Sequence, residues 1–210
     1  MQTLREFQFD GEAALEALLV QSKYGSIEQA VACLTLFTHP DTIAQIENKA
    51  LFRVRRYRGK EERGEIVHIE RVVLCDNDSP TRAFLWANDL GRGHLAEVQY
   101  NHIYQMAYDP AFYTSLANIC VTPAFLSKLT DKNPRVIQLL KYRASQAYGF
   151  VPDGEPRPEK PEGYDKVIWA DFLPACPDLK SRIVARLRNN VESRIALSIE
   201  HFGWHYGPKF

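Results

Sequence analysis

Residues 96–128 read AEVQYNHIYQMAYDPAFYTSLANICVTPAFLSK, and the reading of this stretch decides the fold. From Val98 the residues alternate, as in a strand with one face buried, and the alternation ends on Asn101-His102. After a loop, Asn118 opens a second short apolar run, and a helix-like segment follows it. The spacing therefore predicts a hairpin and then a helix, a β-β-α unit. A histidine at a strand end can reach solvent while its backbone stays fixed. Its ordinary pKa of about 6.5 suits a general base. The plainer alternative is a core hairpin that carries a structural histidine.

The chain around this stretch is that of an ordinary soluble globular protein. It has 210 residues, 45% hydrophobic and 25% charged, enough for one domain with a real core. Its 26 basic and 26 acidic residues cancel, so no global field draws it to nucleic acid or to an anionic membrane. Any such binding has to come from a local patch. Cys33, Cys75, Cys120 and Cys176 are scattered, with no C-x-x-C pair, and read as buried free thiols. The start, MQTLREFQFDGE, is unlike a signal peptide, and no apolar run reaches the ~20 residues of a membrane span, so a cytoplasmic protein without membrane contact is expected.

The first fifty residues read as helical. Ala14, Leu15, Leu18 and Leu19 fall at helical spacing, Ser26 is placed to cap a second helix, and Pro40 starts a third carrying Ile43, Ile46 and Leu51. The segment 51–75 suggests two strands joined by a charged turn near Gly59 to Gly64. Ser79 is expected as a cap before Pro80, opening a short apolar helix. Residues 152–164 hold four prolines and two glycines and read as a linker or extended arm. Beyond it, Leu179, Ile183, Leu187, Val191, Ile195 and Ile199 recur every four residues. That stripe needs a partner surface, either the body of this chain or a second copy in a homodimer.

At this point the residues resemble a known family. YNHIYQ, then LANICVTPAFLSK, is similar to the His-Asn-His, or ββα-metal, endonucleases over about Val73 to Phe150. Their pattern runs Asp-His-Ile, a loop, an Asn followed by an apolar run, and a short helix with His or Asn nine residues after that Asn. The resemblance implies a metal-dependent DNA endonuclease, of use in restriction, phage defence or mobile-element biology. His102 would deprotonate water and Asn118 would brace the loop. A single Mg²⁺ or Mn²⁺ would sit between Asn101 and the helix bearing Ser127 and Asp131. Asn101 stands where the family has Asp, and Ser127 where it has His or Asn, with Asp131 one helical turn further on the same face.

A second feature is FRVRRYRGK, in which Arg53, Arg55, Arg56, Arg58 and Lys60 crowd around Tyr57. Such a cluster suits sequence-independent phosphate contacts, and Lys128 beside the helix adds to it. The alternative is a solvated edge strand charged against aggregation. The basic flank of the last helix reads as a solvated face. His201 and His205 stand four apart, but without a general-base Glu they read as aromatic packing. The expected architecture is α+β: a helical unit over 1–50, a small antiparallel sheet with the ββα-metal core over 51–150, and the proline-rich linker with an amphipathic helix over 151–210. Two rivals remain. One is the same fold with a decayed metal site, binding nucleic acid or a partner protein. The other is an interaction protein assembled through the last helix.

Overall fold

The computed structural model describes residues 3–57, 65–68 and 71–188, with the backbone alone for 65–68 and 71–73. Among these residues the chain forms seven helices and two small sheets, a mixed α and β architecture. The helices are α1 (Gly11–Val20), α2 (Ile27–Leu34), α3 (Pro40–Ala44), α4 (Ser79–Ala87), α5 (Ser127–Lys132), α6 (Pro134–Tyr148) and α7 (Leu179–Arg188). The strands are β1 (Val54–Arg55), β2 (Glu65–His68), β3 (Arg71–Cys75), β4 (Val98–His102) and β5 (Ile119–Pro123).

The N-terminal helices begin where their caps place them. Asp10 accepts from the backbone of Glu12 and Ala13 to open α1, and Ser26 accepts from Gln29 N–H to open α2. The expected α1 stripe is narrower than its spacing suggests: Leu19 is buried, whereas Leu18 is 68% exposed. The third helix stops at Ala44 instead of running to Leu51, because Glu47 and Asn48 take left-handed backbone angles there.

The segment 51–75 folds differently from its prediction. The expected turn near Gly59 to Gly64 lies outside the described residues; β2 and β3 pair antiparallel, from Glu65 opposite Leu74 to His68 opposite Arg71, and β1 runs parallel to β3 with Val54 opposite Leu74. The three-stranded sheet is thus mixed and not purely antiparallel. Ser79 lies inside α4 and does not cap it through its own side chain. Its hydroxyl donates to Asp76, which also accepts the Asp78 N–H.

The hairpin of β4 and β5 forms as its alternation demands. The pairing runs from Val98 opposite Pro123 to His102 opposite Ile119. Leu36 bridges the other edge of β5 at Val121. Ile119, Cys120, Val121 and Thr122 are all buried, which explains the continuous apolar run in the sequence. A tight turn at Ala124–Leu126 then leads into α5. Helix α6 packs against α2, α3 and α5. It is capped by Asn133, and it ends at Gly149, whose φ of 64° suits the left-handed closing position.

One core draws on all three segments of the chain, from Leu19 through Leu116 and Leu140 to Leu187. Residues 152–164 form no regular element except the start of a 3-10 turn at Tyr164–Lys166, in keeping with an extended arm. The arm continues into residues 168–173, and that part docks. Gln29 and Ile168 exchange two hydrogen bonds, Ala170 N–H donates to Ala32 O, and Leu173 N–H donates to Phe37 O. In α7, Leu179, Ile183 and Leu187 are buried in this chain, and α7 packs on α4. That part of the stripe therefore needs no second copy. Val191, Ile195, Ile199, His201 and His205 lie outside the described residues. Among the described residues no helix is long and apolar enough to cross a membrane.

Candidate functional site

A cleft of about 750 Å³ opens over the end of β4. Asn101 and His102 line it together, although successive side chains of a regular strand point to opposite faces. Its lining also takes in Arg56 and the start of α4, and Ser127, Lys128, Asp131 and Lys132 of α5.

The His102 ring is fixed by Tyr113. Its Nε2 lies 2.9 Å from Tyr113 O, and the two rings stack with centroids 5.3 Å apart. A carbonyl oxygen only accepts, so Nε2 carries the proton and the neutral ring keeps its lone pair on Nδ1. Among the described residues Nδ1 has no hydrogen-bond partner, and it is not one of the buried polar atoms without one, so it meets solvent in the cleft. Burial holds the imidazole below its ordinary pKa. The Tyr113 carbonyl opposes this by binding the protonated form, the Arg56 cation adds to it, and the Asp131 carboxylate opposes it.

Asn118, fully buried, ties the loop closed. Its Oδ1 accepts from Tyr104 N–H at 2.7 Å, and its Nδ2 donates to Tyr104 O and Phe112 O at 3.2 Å each. Ile103 N–H donates to the backbone carbonyl of Asn118. This side chain therefore sets the path of the loop that presents the Tyr113 carbonyl to His102. Asn101 donates its amide hydrogens to Thr122 Oγ1 at 2.8 Å and to Gln99 O at 3.2 Å. Its Oδ1 is left over as the acceptor toward the cleft. Gln105 Nε2 donates to Asp131 O, which joins the loop to α5.

The basic residues separate. Arg56 and Lys128 line the cleft, with Lys132 beside them. None of these three is in an ion pair among the described residues. Arg53 does not line the cleft. Arg55 is 7% exposed, donates to Arg56 O and does not line the cleft. Arg58 and Lys60 lie outside the described residues. Sequence reasoning missed Tyr113, Tyr108, Gln105 and Lys132. Only Lys132 had a legible signal, since it falls one helical turn after Lys128 on the same face.

The donor set for a cation is thin. Among the described residues there is no group of three or more His, Cys, Asp or Glu side chains. Among the described residues Asp131 is the one carboxylate that lines the cleft, which Asn101 and Ser127 also line. Mg²⁺ is commonly held by one or two carboxylates together with waters and substrate phosphate oxygens, so this set fits a weakly held ion completed by substrate. Cys120 is no nucleophile: burial pushes its thiol up to about 12.

No protein-family model, curated protein or solved structure matches the chain.

Proposed function

We propose that this protein is a metal-dependent endonuclease of the ββα type that hydrolyses phosphodiester bonds in DNA. The observation that carries the reading is the lone pair of His102 Nδ1, without a hydrogen-bond partner among the described residues, in a cleft whose cations Arg56, Lys128 and Lys132 have no ion-pair partners among those residues.

His102 Nδ1 takes the proton of a water as that water attacks phosphorus. The charge gained by the ring is stabilised through Nε2–H on the Tyr113 carbonyl, so the base does not have to reorient. Asn118 keeps that carbonyl in position. Arg56, Lys128 and Lys132 offset the charge that builds on the phosphate oxygens. Asn101 Oδ1, Asp131 and Ser127 would hold Mg²⁺ or Mn²⁺, which supplies Lewis-acid stabilisation of the departing oxygen. The fit of this set depends on phosphate oxygens joining it.

That Asp131 is the single carboxylate lining the cleft among the described residues favours a second reading, in which the same cleft binds nucleic acid without cutting it. Nicking of supercoiled plasmid in Mg²⁺, Mn²⁺ and EDTA, with native protein and His102→Ala, separates the two. Metal-dependent nicking that vanishes in the variant supports the enzyme. A folded protein that shifts DNA on a gel but never nicks it supports the binding module. Neither activity overturns both.

A further inference from the structure

We propose that Tyr100 is a further catalytic residue of this cleft, the general acid that protonates the departing oxygen while His102 takes the proton of the attacking water. This deepens the nuclease reading and rests on it for the reaction.

Tyr100 and His102 stand two positions apart on β4, which pairs with β5 in unbroken register, Tyr100 opposite Val121 and His102 opposite Ile119. Residues so spaced share one face of a strand, roughly 6.5–7 Å apart along it. Both line the cleft. A base and an acid that act on opposite oxygens of one phosphorus have to reach different atoms from one fixed frame. Alternate positions of a single strand provide that frame.

The Tyr100 ring is held, and its hydroxyl is not. The ring meets Phe84 edge to face with centroids 5.8 Å apart, and it packs on the buried cluster of Phe84, Ile119 and Val121. The hydroxyl has no hydrogen-bond partner among the described residues, and it is not one of the buried polar atoms without one, so it is open to solvent. Tyr113, by contrast, spends its hydroxyl on Asp76 O at 2.8 Å. Lys128 and Lys132 also carry protons, but on flexible four-carbon stems. Burial holds the Tyr100 phenol above its ordinary pKa, the Arg92 cation opposes this, and the Asp78 carboxylate adds to it. The phenol therefore keeps its proton at neutral pH until a stronger base, the departing alkoxide, forms beside it.

In the step, the water oxygen bonds to phosphorus and the bond from phosphorus to the departing oxygen breaks. The water's proton goes to His102 Nδ1, and the phenolic proton goes to the departing oxygen. Solvent then reprotonates the phenolate and takes the proton from His102. Among the described residues one carboxylate lines the cleft, so a weakly held cation leaves charge on the departing oxygen that a proton offsets.

The test is Tyr100→Phe in the plasmid-nicking assay. The variant keeps the ring on Phe84 and removes only a hydroxyl without a partner in the fold, so its melting temperature is expected to stay native. Its nicking rate in Mn²⁺ is expected to fall by at least about 100-fold. The ends left at a mapped nick name the departing oxygen. In an oligonucleotide that carries sulfur at that position a thiolate departs without needing a proton, and Tyr100→Phe is expected to cut it within about threefold of the native chain. His102→Ala is expected to cut neither substrate. Native-like nicking by Tyr100→Phe, or equal losses on oxygen and sulfur, would overturn the inference and leave the nuclease standing. A native chain that never nicks removes the nuclease reading and the acid with it.

Discussion

His102 and Tyr113 are joined twice, once by a hydrogen bond from Nε2 to the Tyr113 carbonyl at 2.9 Å and once by ring stacking at an interplanar angle of 17°. The carbonyl fixes the tautomer and the ring fixes the plane. A histidine held this way has one nitrogen committed to structure and one left for chemistry.

That arrangement predicts a pH dependence of known sign. The folded His102 pKa lies below its ordinary value, mainly through burial. Between that depressed value and about 6.5 the unfolded chain binds more protons than the folded one. The stability contribution is therefore complete above about 6.5 and is lost as pH falls through this window. Thermal melts between about pH 8 and pH 5 should show a steeper acid-side decline in the native chain than in His102→Gln. Parallel curves would refute it. If the chain is the proposed nuclease, the acid limb of its rate profile falls below about 6.5 for the same reason.

Asn118→Ala should be among the costliest polar substitutions in the protein. It strips a buried partner from Tyr104 N–H, Tyr104 O and Phe112 O at once. Tyr104 N–H is left unsatisfied at about 1–3 kcal/mol, while Tyr104 O keeps Met106 N–H and Phe112 O keeps Ser115 N–H, so those two lost bonds cost about 0.5–1.5 kcal/mol each; with partial relaxation the loss is on the order of 3 kcal/mol. For a chain of this size that is a fall in Tm of roughly 5–12 °C. Differential scanning calorimetry reads it directly, and a change below about 1 °C would mean that the loop does not depend on this brace.

Asn101→Asp should exchange stability for cation affinity. The added carboxylate strengthens the oxygen set that Asp131 begins. The same change points a carboxylate at Gln99 O, where an amide hydrogen now donates, while Thr122 can turn its hydroxyl to donate instead. The expected result is Mn²⁺ binding tighter by about tenfold in titration calorimetry and a stability loss of roughly 1–2 kcal/mol. Unchanged Mn²⁺ affinity would place the ion elsewhere.

The arginines of the FRVRRYRGK segment should divide by burial. Arg56→Ala and Lys128→Ala are expected to weaken DNA binding and lower the salt slope by about 1 each. Arg55→Ala, by contrast, is expected to lower the melting temperature with little effect on the slope, because its head group is inside the fold. Affinities measured at several salt concentrations decide between these patterns. Equal slopes for Arg55 and Arg56 variants would contradict the division.

The sequence was most legible where one local rule acts alone. The alternation ending at His102, the cap at Ser26, and the part of the apolar stripe from Leu179 to Leu187 appear as read. It was least legible where pairing depends on distant chain. Nothing local to Val54 says that it will lie parallel to Leu74, and alternation looks the same in either direction. Arg55 illustrates the same limit. Its neighbours are charged, yet β1 sits against the core and takes that side chain inside. In the site, His102 and Asn118 could be picked out by position, whereas Tyr113 could not. Its contribution is a backbone carbonyl, which every residue type possesses.

The docked arm also bears on how the chain acquires its fold. Gln29 completes its side-chain bonds only with Ile168, 139 residues later, and Phe37 O waits for Leu173 N–H. During synthesis the N-terminal helices leave the ribosome long before the segment that covers them. At about 5–20 residues per second, that interval lasts on the order of ten seconds. For that time the surface around Ala32 and Phe37 is without its cover, which makes it the natural point of attachment for a chaperone and the first place where a truncated chain would aggregate.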